Sequence, residues 1–75
     1  MATRAKNKHF KRLGVNIKDA RTRLGISQYK LAAIADIDRS YISQLENGLV
    51  NPTFSLLLSL AKALQVPVFT LIDTD

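Results

Sequence analysis

At 75 residues the chain has room for one domain, and without cysteine it can neither staple itself with disulfides nor build a thiolate metal site. Its formal charge of +5 is concentrated: Met1 to Arg12 carries Arg4, Lys6, Lys8, Lys11 and Arg12 with no acid, whereas residues 13–75 carry six basic and six acidic side chains. The single histidine, His9, lies in that basic stretch, so no triad or multi-histidine metal site can be assembled, and neither a catalytic site nor a cofactor is expected.

Residues 1–9 read as a basic N-terminal arm and residues 10–75 as the folded domain. The arm suits a polyanionic partner or serves as a solubilising tail. The basic start is not followed by an apolar run of the secretory kind. Further on, Phe54 to Ile72 is broken by Ser55, Ser59, Lys62, Gln65 and Pro67, which argues against a membrane span.

Apolar residues recur at helical spacing with short breaks, which predicts an all-α fold of five helices. The first runs from Phe10 to Leu24, with Phe10, Leu13, Ile17, Ala20 and Leu24 on one face and Gly25 as terminator; Gly14 is a weak spot within it. Ser27 caps a second helix from Gln28 to Ala35, with Leu31, Ala32 and Ala35 turned inward. After the turn Asp36-Ile37-Asp38, Asp38 caps a third helix from Arg39 to Asn47, which Gly48 ends. Thr53 caps a fourth, whose apolar positions Phe54, Leu57, Leu58, Leu60, Ala61 and Leu64 cover a broad buried face. Pro67 then begins a short fifth helix carrying Val68, Leu71 and Ile72.

Two short helices joined by a three-residue turn form the arrangement that lays a recognition helix in the major groove. At about 100° per residue, Arg39, Ser40, Ser43, Gln44 and Asn47 fall within an arc of roughly 140°, while Tyr41, Ile42 and Leu45 lie on the other side. The outer side chains suit base edges: Arg39 can pair bidentately with guanine, Gln44 with adenine, and the hydroxyls of Ser40 and Ser43 with either an edge or a phosphate. Amphipathic helices with such residues also occur on ordinary surfaces, so the face alone does not decide. Tyr29 and Tyr41 read as packing or phosphate-contacting residues rather than as platforms for single strands.

Several blocks in order carry a family resemblance: Arg21, Leu24-Gly25-Ile26-Ser27-Gln28, Leu31-Ala32, Asp38-Arg39-Ser40-Tyr41-Ile42-Ser43, Leu45-Glu46-Asn47-Gly48, Asn51-Pro52-Thr53 and Ala61-Lys62-Ala63-Leu64. From Leu13 to Ile72 the chain resembles the Cro and phage-repressor-like helix-turn-helix family, also called the XRE type. The resemblance implies a lambda-repressor-like domain with helices 2 and 3 as the motif, acting as a sequence-specific regulator on double-stranded DNA. It implies base contacts at Arg39, Ser40, Ser43 and Gln44, phosphate contacts at Gln28, Tyr41, Asn47, Asn51 and Thr53, and a structural ion pair between Arg21 and Glu46. Phosphate contacts fix register and add affinity but carry little sequence information.

Four departures qualify the match: Asp36 stands where a glycine is frequent, and Ile34, Leu56 and Phe69 stand where polar residues are usual. Aspartate tolerates the left-handed conformation at moderate cost. The extra apolar residues suggest a homodimer with Leu56, Val68, Phe69 and Ile72 in its interface, which would let two recognition helices read an inverted repeat. A chain that stops after the last helix leaves no ligand-sensing domain, so control is expected from concentration and dimerisation, as in small phage repressors or restriction-modification controllers. Controllers of that kind activate at one promoter and repress at higher occupancy, and a contact with RNA polymerase is a further partner this reading admits. The expected location is the bacterial cytoplasm, at the nucleoid. The rival reading is a protein-interaction module, such as an antitoxin or antirepressor, using the apolar C-terminal surface.

Overall fold

The computed structural model describes residues 7–73, and within them the chain forms α1 (Lys8–Leu24), α2 (Gln28–Ala35), α3 (Arg39–Glu46), α4 (Phe54–Leu64) and α5 (Val68–Ile72). No strand occurs among the described residues. Helix α3 packs against α1 and α2, α4 against α2 and α5, and α5 closes back onto α1. The helical period places one or two apolar side chains per turn at a common centre: Ile17, Leu31, Ile42, Leu45, Leu60, Leu64 and Leu71 are fully buried there.

The helix boundaries follow from where orphan backbone groups find partners. Asn7 starts α1 two residues ahead of the expected position, its Oδ1 accepting from the backbone N–H of His9 at 2.8 Å and of Phe10 at 3.3 Å. Lys8 and His9 therefore belong to a helix rather than to an extended arm; residues 1–6 lie outside the described residues. Ser27 and Thr53 cap α2 and α4 as their positions predict, accepting from Lys30 N–H at 3.0 Å and Leu56 N–H at 3.1 Å. Asp38 occupies the cap position of α3, but its side chain makes no cap hydrogen bond; only its carbonyl accepts, from Tyr41 and Ile42. Pro67 is the cap of α5 and not its first helical residue. At the other end of α3, Asn47 is the terminal cap, outside the helix.

Two helices end on left-handed residues that are not glycine, Asp36 at φ 59° and Gln65 at φ 63°. Each is held by a backbone bond back into its helix, Ile37 N–H to the Ala32 carbonyl and Val66 N–H to the Ala61 carbonyl, both at 3.0 Å. Such bonds offset the strain of a Cβ in this region.

Gly14 has a role that its helix propensity does not reveal. It lies buried where α1 crosses the end of α3, and a Cβ there would stand 2.4 Å from the Leu45 carbonyl oxygen and 2.6 Å from that of Glu46. Gly48, just past the end of α3, faces the same crossing, with its Cβ position 2.8 Å from Lys11 Cα and its φ at +73°. One contact requires close approach, the other both close approach and a left-handed turn. On α4, the period places Phe54 and Leu58 toward the core, but both are exposed, at 58% and 46%. The helix is buried along Leu57, Leu60, Ala61, Ala63 and Leu64, on the side that faces the core.

Candidate nucleic-acid interface

Helix α3 is a short rod with two unlike faces. Ile42 and Leu45 are buried and Tyr41 is half-buried against the core, while Arg39, Ser40, Gln44 and Asn47 are exposed and Ser43 is half-buried. The polar face thus projects outward where the angular argument puts it. Asn47 is partly engaged at home, its amide nitrogen donating to the Ser43 carbonyl at 3.0 Å, which leaves its amide oxygen for other donors.

The orientation of α3 is fixed by a polar network at its far end. Arg21, on α1, donates Nε–H to Glu46 Oε2 at 2.6 Å and an Nη2–H to Oε1 at 3.0 Å, and its Nη1 donates to the Ile26 carbonyl at 2.9 Å. The pair is side-on and nearly dry, the two side chains being 11% and 3% exposed. Hydrogen bonding to Glu46, reinforced by its charge and opposed by burial, raises the Arg21 pKa above its ordinary value. Gln28, the first residue of α2, donates Nε2–H to Glu46 Oε1 at 3.0 Å. One carboxylate therefore ties together the three helices α1, α2 and α3.

The remaining expected contacts divide by what holds them. Thr53 accepts a cap bond at its hydroxyl oxygen, and its O–H proton remains free to donate; Asn51 is exposed. Of the expected interface residues, Phe69 and Ile72 are exposed at 67% and 41%, while Leu56 and Val68 are half-buried against the core. Ile34 is exposed at 50%. Sequence reasoning missed two residues. Tyr29, read as a packing or phosphate-contacting residue, is 71% exposed, and the Arg39 guanidinium carbon lies 4.6 Å from the centre of its ring. Asn16, on α1, donates to the Leu71 and Asp73 carbonyls at 2.9 and 2.7 Å and so ties the end of α5 to the scaffold. Neither pairing has a periodic signal, since ten and more than fifty positions separate the partners.

A family model described as helix-turn-helix matches residues 17–71, which contain both helices of the motif and the network that orients them. The chain belongs to the XRE-type helix-turn-helix family. Members are DNA-binding transcriptional regulators, and so is this chain. Among solved structures it is similar to the restriction-modification controller protein C.AhdI from Aeromonas hydrophila, at 34% identity over 83% of this chain and 94% of that one, with a TM-score of 0.80. It is similar too to the wild-type controller C.Esp1396I, at 30% identity over 92% and 95% of the two chains and a TM-score of 0.82. A hypothetical transcription factor, NHTF from Neisseria, shares 27% identity over 96% and 85%, with a TM-score of 0.82. No curated protein matches the chain significantly.

Among the described residues no three His, Cys, Asp or Glu side chains gather in a way that could hold a metal ion, and no helix is long and apolar enough to cross a membrane.

Proposed function

We propose that the protein binds a specific inverted-repeat operator as a homodimer and controls transcription of a restriction-modification system. One observation carries the DNA-reading part: α3 exposes Arg39, Ser40 and Gln44 along one face while its other face and its end are locked into the core and the Arg21–Glu46 pair. A helix held this way presents donors and acceptors to base edges without having to order itself on binding. Arg39, Ser40, Ser43 and Gln44 read bases in this proposal. Gln28, Tyr41, Asn47, Asn51 and Thr53 hold phosphates and set register.

The dimer is supported by the exposed apolar side chains of α5, Phe69 and Ile72, with Leu56 and Val68 beside them. Two copies of α3 then reach half-sites about one helical turn apart. The controller role is supported by the resemblance to C.AhdI and C.Esp1396I, whose names describe them as restriction-modification controllers.

Selection from random duplex DNA should recover an inverted repeat with half-site centres about 10 base pairs apart. Arg39→Ala should then cost about 1 to 3 kcal/mol per contacted guanine and relax preference at that position alone. Recovery of no duplex would end the DNA reading, and full discrimination by Arg39→Ala would remove Arg39 from the reading face. Phe69→Glu with Ile72→Glu should sediment as a folded monomer. If the parent chain is itself monomeric, those side chains serve a different protein, as in an antitoxin or antirepressor.

A further inference from the structure

We propose that Tyr29 is a positioning residue for base recognition: its ring holds the Arg39 guanidinium at the N-terminal ends of α2 and α3, with the in-plane N–H donors presented to a guanine edge. The inference rests on the reading of Arg39 given above. Arg39 is the first residue of α3 and Tyr29 the second of α2, and the 4.6 Å contact bridges the two helices of the motif.

The choice of partner matters. Asp36 and Asp38 lie within three positions of Arg39, yet among the described residues no carboxylate pairs with it. An ion pair would occupy the guanidinium fork with a competing acceptor. A ring contact uses the face of the cation and leaves all five N–H groups unspent. Arginine also brings large rotamer entropy, so an arginine steadied before the encounter loses less freedom when it meets guanine O6 and N7.

The ring itself is not explained by the core. At 71% exposure Tyr29 contributes little burial, and as a large aromatic in open solvent at the start of the motif it has the Arg39 contact as its evident use. An exposed contact of this type corresponds to about a two- to fivefold change in an equilibrium constant, so about five- to thirtyfold in a dimer that uses it twice.

The test is a binding series on the full chain with the selected duplex and with duplexes altered at single base pairs. Tyr29→Ala and Tyr29→Leu should weaken binding by about two- to fivefold per half-site, with the loss confined to the base pair at which Arg39→Ala loses discrimination. Tyr29→Phe, which keeps the ring, should bind as the parent does. In the Arg39→Ala background Tyr29→Ala should have no effect. Thermal unfolding of all three variants should match the parent, because the side chain is exposed.

A uniform loss across every duplex, a Tyr29→Phe defect equal to that of Tyr29→Ala, or additive losses in the double variant would each overturn the proposal. The first two together would assign the tyrosine hydroxyl to a phosphate. If Arg39→Ala loses discrimination while Tyr29→Ala keeps it, positioning alone fails. If Arg39→Ala also keeps full discrimination, the base-reading role of Arg39 fails and takes the positioning role with it.

Discussion

The two faces of α3 differ in how much freedom they leave to the sequence. On the inner face, Ile42 and Leu45 are fully enclosed, Glu46 is gripped by two partners, and the helix backbone sits so close to α1 that only a glycine fits at position 14. On the outer face, Arg39, Ser40 and Gln44 project from the same rod into open space. The inner face sets where the helix lies, and the outer face sets what it meets. On the proposed reading, operator preference can change along α3 without disturbing the fold, whereas a change of one methyl group on the inner side disturbs both.

The largest expected effect that tests this division is Glu46→Ala. It leaves the Arg21 guanidinium nearly dry, with only the Ile26 carbonyl as a partner, and should cost about 3 kcal/mol or more in denaturant unfolding. A loss below about 1 kcal/mol, the range of exposed pairs, would show that the network does not hold α3.

Next comes Gly14→Ala, where two physical effects oppose each other. Helix propensity alone favours alanine by about 1 kcal/mol. The Cβ would press on two backbone carbonyls, at 2.4 and 2.6 Å, and neither can rotate away. Overpacking should prevail, with a net destabilisation of about 1 to 3 kcal/mol. A raised melting temperature would mean that α1 and α3 separate more easily than their contact suggests.

The smallest effect is expected from Gln44→Ala. Unfolding should change by less than about 0.5 kcal/mol, as for surface positions generally, while affinity for the selected duplex falls at one base pair per half-site. A stability change comparable to that of Gly14→Ala would break the contrast between the faces.

Much of the fold was legible in the sequence because helical period and cap chemistry are local signals. Ser27, Thr53, Gly25 and Gly48 marked ends that the structure keeps to within a residue. Where the reading erred, a longer-range cause operated. Phe54 and Leu58 satisfy an apolar period, but among the described residues the packing of α4 against the rest of the fold leaves both exposed. Gly14 reads as a flaw in a helix until the crossing partner is known, since nothing near it in the chain announces a backbone 2.4 Å from its missing Cβ. Asp38 has the right residue type for a cap, yet its side chain does not turn back to the helix.

At the interface, the polar arc of α3 was visible from residue types at a fixed angular step. The Tyr29–Arg39 contact was not, because it joins two helices across a turn whose geometry the residue types leave open. The family blocks lead to the expectation of a phosphate contact at Gln28 but give no sign that its amide nitrogen is committed to Glu46.

That commitment has a thermodynamic consequence. A carboxylate only accepts hydrogen bonds, so Glu46 dictates which end of the Gln28 amide faces inward, and in the proposed complex the amide's second N–H is the one that meets a phosphate. On that proposal folding and DNA affinity are linked functions of one carboxylate: bound duplex would stiffen the α1–α2–α3 junction, and loosening that junction would be felt at the duplex as weaker binding to every sequence alike. A regulator wired in this way loses grip before it loses judgement.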